Sequence, residues 1–234
     1  MRTALLTALL LLPTLASASP KPYRAVYEVR HNGSAEAVTT VSYSAQAGGR
    51  WQFSSHTRGS QGLAALVGGS RDEDSVLRWS GDRPEMIDYH FSQKAGWSSK
   101  QRSAKVDAAS GRITGTDKDQ RYSLAYQPGV LDLNSINVAL INDLAAGKRG
   151  DLVYTVVNKH SLETQRYRVS GPVDLQTALG NQHALKVQRI RDNGDGRSTT
   201  LWFGVDQGFV PLRMEQREPN GDSIEMRISR IGGS

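Results

Sequence analysis

The side chains best suited to move a proton or hold a metal near neutral pH are the five histidines, His31, His56, His90, His160 and His183. They are scattered, and none stands in a His-Glu-x-x-His or comparable ligand spacing. The chain has no cysteine, which excludes a Cys-ligated zinc centre, a disulfide framework and a lipid-acceptor cysteine. No Gly-x-Ser-x-Gly elbow, phosphate-binding glycine loop or dinucleotide fingerprint occurs. Asp192-Asn193-Gly194-Asp195-Gly196 begins like a calcium loop, but glycines fill its third and fifth ligand positions and no Glu stands at the twelfth, so it reads as a hairpin turn. Asp72, Glu73 and Asp74 are the nearest thing to a hydrolytic set, and such chemistry needs two carboxyl groups converging within about 5–10 Å. The expectation is therefore no catalytic residue, no metal and no cofactor, with a carboxylate-dependent hydrolase as the least favoured function.

What remains is apolar chemistry. Residues 59 to 74, GSQGLAALVGGSRDED, carry a small apolar patch bracketed by glycines, a candidate lid over a hydrophobic pocket. The residues assigned to that pocket are Trp51, Phe53, Leu63, Leu66, Val67, Trp79, Tyr89, Ile136 and Leu140. Trp97 is placed with the other aromatics in the neighbouring strands.

The elements that must position them are mostly strands. Apolar and polar residues alternate over Tyr23 to Arg30, Ala37 to Ser44 and Arg50 to Thr57, with Gly48-Gly49 as a turn. Further strand-like runs cover Ser75 to Trp79, Glu85 to Ser92, Ser98 to Val106 and Gly111 to Thr116. Ala184 to Ile190, Thr199 to Val205, Phe209 to Gln216 and Ser223 to Ile228 are predicted to form four consecutive antiparallel strands, joined by glycine- and asparagine-rich turns. One segment differs. In DLNSINVALINDLAAG, residues 132 to 147, Leu133, Ile136, Leu140 and Leu144 recur at helical spacing, with Asn137, Asn142 and Asp143 turned away. Asp132 or Asn134 is the expected N-cap, and Gly147 the residue just past the end. The fold class expected is mainly β: one strongly curved antiparallel sheet, a half-barrel or open barrel, with this amphipathic helix packed on its concave side as a partial plug.

Of the 234 residues, the first 18 read as a secretory signal peptide: Met1-Arg2, the uncharged run Ala4 to Leu12, and a small-residue cleavage site ending at Ala18. The apolar run is far short of the ~20 residues of a membrane-spanning helix. Residues 19–234 are expected to form a single β-rich domain in the periplasm. The formal charge of the whole chain is +6, too mild and too dispersed for nucleic acid, which is also a poor partner in that compartment. The partner classes left are a hydrophobic small molecule or lipid and an envelope protein or polysaccharide. A membrane β-barrel is disfavoured, because Lys186, Arg213, Glu215, Arg217, Glu225 and Arg227 occupy the polar faces of the C-terminal strands and no terminal aromatic girdle follows.

The succession LDLNSINVALINDL, YRVSGPVDLQTALGNQHALKVQRIR and TTLWFGVDQGFVPLRMEQREPNGDSIEMRI resembles the bacterial exported family termed domain of unknown function 3108. The features carrying the likeness are Asp132 to Ser135, Thr177 to Gly180, Leu201-Trp202 and Val210-Pro211-Leu212, with Val210 where the pattern would place Leu. The resemblance implies a curved antiparallel sheet similar in outline to periplasmic lipoprotein-carrier folds, with the helix closing the open side over an apolar pocket. It implies no catalytic residues. The function expected is a non-enzymatic binding or carrier protein for a hydrophobic envelope molecule, the alternative being a structural or assembly factor of the cell envelope.

Overall fold

The computed structural model describes residues 20–62, 68–192 and 194–232. The expected signal peptide, and Leu63, Leu66 and Val67 of the expected pocket, lie outside them. The described chain is mainly β. In order it forms β1 (Tyr23–His31), β2 (Ser34–Gln46), β3 (Arg50–Gly59), β4 (Ser70–Ser80), β5 (Arg83–Ala95), β6 (Ser98–Asp107), β7 (Arg112–Asp117), β8 (Gln120–Ala125), β9 (Leu131–Asp132), the helix α1 (Ile136–Ala145), β10 (Gly150–Asn158), β11 (Ser161–Thr177), β12 (Gly180–Ile190), β13 (Ser198–Gly204), β14 (Pro211–Arg217) and β15 (Ser223–Gly232).

All fifteen strands belong to one sheet, ordered β8-β7-β6-β5-β4-β3-β2-β1-β15-β14-β13-β12-β11-β10-β9. It is built from two meanders welded where the first strand pairs with the last, Tyr27 opposite Ile228 and Val29 opposite Met226. The four C-terminal runs are consecutive antiparallel neighbours. The sheet is nonetheless mixed, because β9 runs parallel to β10, with Leu131 opposite Val156 and Asp132 opposite Val157, and it is not closed, since its end strands β8 and β9 do not pair. Alternation decides the faces: Tyr23, Ala25 and Tyr27 of β1, Ser75 and Leu77 of β4, and Tyr167 and Val169 of β11 are buried on one side while their neighbours point away. The buried set forms one continuous core that includes the helix.

Three expectations are corrected. The helix occupies Ile136–Ala145 rather than 132 to 147. Its predicted first turn is instead a bridge and a turn, because the Asp132 carboxylate takes the amides of Asn134 and Ser135, both at 2.8 Å, and so offers them an alternative to helical bonding. Ser135 occupies the N-cap position, with no side-chain cap bond. Nor is the helix one-sided. Val138, Ala139, Ile141 and the predicted outward Asn142 are buried along with the stripe. Asn142 tolerates this because its amide donates to the Asp82 carbonyl at 3.0 Å. Trp97, finally, is not a strand residue. It sits in the β5–β6 turn and is 100% exposed. The helix C-terminus follows expectation: Gly147 has φ +80°, its amide reaches Leu144 O at 3.0 Å, and Lys148 N reaches Asp143 O at 2.9 Å, a Schellman closure that needs the left-handed glycine.

Candidate ligand cavity

The segment leading into α1 is fastened to the sheet by a buried polar cluster. Asp132, which is 0% exposed, accepts from the amides of Asn134 and Ser135 and from the Ser75 hydroxyl at 2.8 Å through one oxygen, and from the Ser135 hydroxyl at 2.8 Å through the other. The Asp132 amide in turn donates to Ser135 Oγ at 2.9 Å. Asn134 spans β3 and β4, its side-chain amide donating to Phe53 O at 2.9 Å and to Ser75 Oγ at 3.1 Å. Burial pushes the Asp132 carboxyl up to about 6, against the pull of the hydrogen bonds from Ser135, Ser75 and Asn134. The Asp-x-x-Ser element of the sequence is thus a strap that seats the helix on β3 and β4. A second link lies further along the chain, where Asp143 accepts from Tyr154 of β10 at 2.9 Å and from Lys148 at 2.8 Å.

Beside the strap lies a cavity of about 590 Å³. Its walls come from α1 and the segment before it (Leu133, Asn134, Ile136, Asn137, Leu140), from β1 to β5 (among them Tyr23, Tyr27, Val41, Phe53, Arg71 and Gln93), and from β11, β13, β14 and β15 (among them Tyr167, Leu201, Met214 and Met226). Strand register orders the lining from end to end. Near the helix Leu140 (0% exposed), Phe53 (2%) and Ile136 (4%) are apolar and deeply buried, with buried Asn134 and half-buried Asn137 beside them. Tyr23 joins them there, its buried hydroxyl without a hydrogen-bond partner among the described residues. At the opposite end, Thr57, Arg71 and Gln93 stand in one cross-strand row, and Thr199, Gln216 and Ile224 in another. Arg71 and Ile224 are exposed and the others half-buried, so the cavity opens at this end, where the β1–β2, β5–β6, β7–β8 and β14–β15 turns also lie. Arg71 is held by Glu73 (Nε to Oε1, 2.7 Å), whose other oxygen accepts from Tyr89 at 3.0 Å, and the Arg71 guanidinium lies over Phe91 at 5.2 Å.

Of the residues assigned to a pocket from sequence, Phe53, Ile136 and Leu140 line this cavity together. Trp51 instead stacks on Tyr43, ring centroids 4.7 Å apart, and Trp79 donates to the Tyr43 hydroxyl at 3.2 Å. Tyr89 stands behind the wall, on Glu73. The cavity residues that sequence reasoning missed, Tyr23, Tyr27, Met214 and Met226 among them, carried only the signal of inward strand alternation, which every core residue shares. The three consecutive carboxylates are split by the same alternation. Glu73 faces inward, whereas Asp72 and Asp74 lie with His56, at 2.8 Å and 3.7 Å, on the other face. Asp72 is desolvated there, yet Arg58 and His56 hold it below the usual carboxylate range. Among the described residues no group of three or more His, Asp or Glu converges as metal ligands, and no helix is long and apolar enough to cross a membrane.

The model of one family, described as Protein of unknown function (DUF3108), matches residues 22–229. No curated protein matches the chain. Among solved structures, the chain is similar to a beta-barrel-like protein of the DUF1849 domain of unknown function from Brucella abortus, at 11% identity and a TM-score of 0.59, covering 93% of this chain and 100% of that one. This likeness places the fold among beta-barrel-like architectures. Two further similarities have TM-scores too low to support an argument. One is to a suspected lipoprotein from Parabacteroides distasonis (0.39, 7% identity, 92% of this chain and 96% of that one), the other to a suspected exported protein with a YmcC-like fold from Bacteroides fragilis (0.31, 10% identity, 92% and 95%).

Proposed function

The chain belongs to DUF3108, a family of unknown function, and we propose that it is a non-enzymatic periplasmic carrier of an amphiphile with an acyl or similar apolar tail. The observation that carries this reading is a cavity graded from a buried end with Phe53, Ile136 and Leu140 to an open polar end at Arg71, Gln93 and Gln216. A tail in the first and a headgroup at the second is the arrangement in which neither part is left in the wrong environment. The volume, about 590 Å³, lies within the ~300–1,000 Å³ typical of small-molecule sites.

The sheet in this reading curls around the helix. Strands β5 and β11 are nine steps apart in the strand order, about 43 Å if the sheet were flat at ~4.8 Å per step, yet both line the cavity. Met86 N of β5 also donates to Val130 O, just before β9, at 2.9 Å, although these strands are eleven steps apart. Both observations support a concave inner side on which α1 sits as a partial plug. The signal-peptide pattern of residues 1–18 supports export. A second reading, an envelope assembly factor, draws on β8, an edge strand whose outer backbone groups are open to another chain.

The test is native mass spectrometry of protein purified from periplasm, followed by titration of the delipidated protein with a fluorescent fatty acid. The carrier reading expects a co-purifying acyl species and saturable binding that Ile136→Trp, which fills the buried end, weakens at least about tenfold. Absence of both bound lipid and probe binding in the unaltered protein overturns it.

A further inference from the structure

The mouth of the cavity and the most conspicuous apolar side chain on the surface lie at the same end of the sheet. Trp97 is 100% exposed at the tip of the β5–β6 hairpin. The hairpin register runs Gln93 opposite Lys100, Lys94 opposite Ser99 and Ala95 opposite Ser98, so the tip begins directly beyond cavity-lining Gln93. Residues paired directly across a hairpin share a face, which puts Lys100 on the inward face with Gln93 and Lys94 on the outward one. The tryptophan is therefore flanked by an exposed lysine on each side. The β7–β8 turn adds a third, Lys118, whose backbone amide donates to Gln101 O at 2.8 Å and so fixes that turn beside the hairpin. Among the described residues none of these three lysines forms an ion pair; of the carboxylates nearby, Asp117 is held by Arg102 at 2.8 Å and His160 at 3.7 Å, and exposed Asp119 in the β7–β8 turn sets one negative charge against the three lysines.

A fully solvated indole is unfavourable unless something covers it, and an indole with unpaired ammonium groups around it is suited to one kind of surface. The ring partitions to the headgroup level of a bilayer, and the lysines meet its anionic phosphates. We infer that the Trp97 hairpin, with Lys94, Lys100 and Lys118, is a membrane-docking tip for an anionic phospholipid surface, which brings the cavity mouth to the bilayer. The inference deepens the carrier reading and rests on it for its purpose: docking here lets an amphiphile pass between bilayer and cavity with little exposure of its tail to water.

The experiment is co-sedimentation of the purified chain with vesicles of phosphatidylcholine, with and without phosphatidylglycerol, at ~0.15 M salt. Binding to the phosphatidylglycerol vesicles and not to the neutral ones is expected. Trp97→Ser weakens it at least about tenfold, through lost apolar burial. Lys94→Ala and Lys100→Ala each weaken it about fivefold, from ~1 kcal/mol per surface lysine. Fatty-acid binding in vesicle-free solution is measured alongside and stays unchanged in Trp97→Ser and Lys94→Ala, since these two residues neither line the cavity nor share its inward face. If the chain binds the fatty acid but ignores anionic vesicles, or binds them equally well without Trp97, the docking tip is refuted and the carrier reading stands. If Trp97-dependent vesicle binding persists while no fatty acid binds, the tip stands and the carrier reading fails. Trp97-dependent capture of a single protein with no affinity for either vesicle overturns the lipid assignment in favour of a protein partner.

Discussion

Replacing Asp132 with Asn separates the strap's hydrogen bonds from its charge. The wild-type carboxyl is raised from its ordinary value of 3.8 to about 6, with burial the largest cause. An acid whose pKa is higher in the folded state than in the unfolded one holds its proton more tightly when folded. Its stabilising contribution is complete below the unfolded value and is lost as the pH rises through the folded value. A shift of about two units makes that loss ~3 kcal/mol in all, of which ~2 kcal/mol falls between pH 4 and pH 7. The side chain introduced by Asp132→Asn does not titrate, while its carbonyl oxygen can still accept from the amides of Asn134 and Ser135 and from the Ser75 hydroxyl. The other carboxylates titrate alike in both proteins and cancel in the difference. Urea unfolding, followed by circular dichroism at several pH values, should therefore show the wild type's advantage over Asp132→Asn shrinking by ~2 kcal/mol from pH 4 to pH 7. At ~2–3 kcal/mol per molar urea that is a relative midpoint shift of ~1 M. Parallel pH profiles with a constant offset would refute the claim that Asp132 is ionised at a desolvation cost inside the folded strap.

The hydroxyl of Ser75 is one of the groups holding that charge, so Ser75→Ala should move the same transition to higher pH and cost ~1–3 kcal/mol at neutral pH, read from the same unfolding series. Leu140 is fully buried on the cavity wall, and Leu140→Ala should lower stability by ~2–5 kcal/mol in chemical denaturation while enlarging the buried end of the cavity. Gly115 of β7 has no room for a side chain, because a methyl group there would overlap the Ser103 carbonyl oxygen and lie 2.5 Å from the Tyr122 hydroxyl, which itself donates to that oxygen at 2.8 Å. Gly115→Ala should cost ~1–3 kcal/mol, and hydrogen exchange should show the loss of protection concentrated in β6 to β8.

Much of the sheet was legible because alternation and turn chemistry are local. Val210, Leu212 and Met214, or Ile224, Met226 and Ile228, reveal a strand without reference to any partner, and the Asn- and Gly-rich turns reveal which strands are joined. Of the four strands left undelineated, β10 carries a plain apolar run in Leu152 to Val157, and the other three have physical reasons for their silence. β8 is an edge strand with little apolar content, and in β11 the buried inward position between Glu163 and Tyr167 is a glutamine, Gln165, which blurs the alternation. β9 is two residues long and exists through a parallel pairing with β10, for which no local signal is available. Asn142 was misread as outward because periodicity cannot register that the Asp82 carbonyl lies waiting for it.

For the cavity the division is sharper. Residue types and spacing determined that the chain is a β protein with one helix, that familiar metal and nucleophile motifs are missing, and that Phe53, Ile136 and Leu140 point inward. Only the tertiary structure decided that these three share walls with Tyr23, Tyr27, Met214 and Met226, that Trp51, Trp79 and Tyr89 do not, and that Trp97 stands in solvent beyond the mouth. The physical reason is that the period of a strand specifies which face a side chain takes, residue by residue. Which faces then meet depends on pairings between strands far apart in sequence, and those leave no mark in the local pattern.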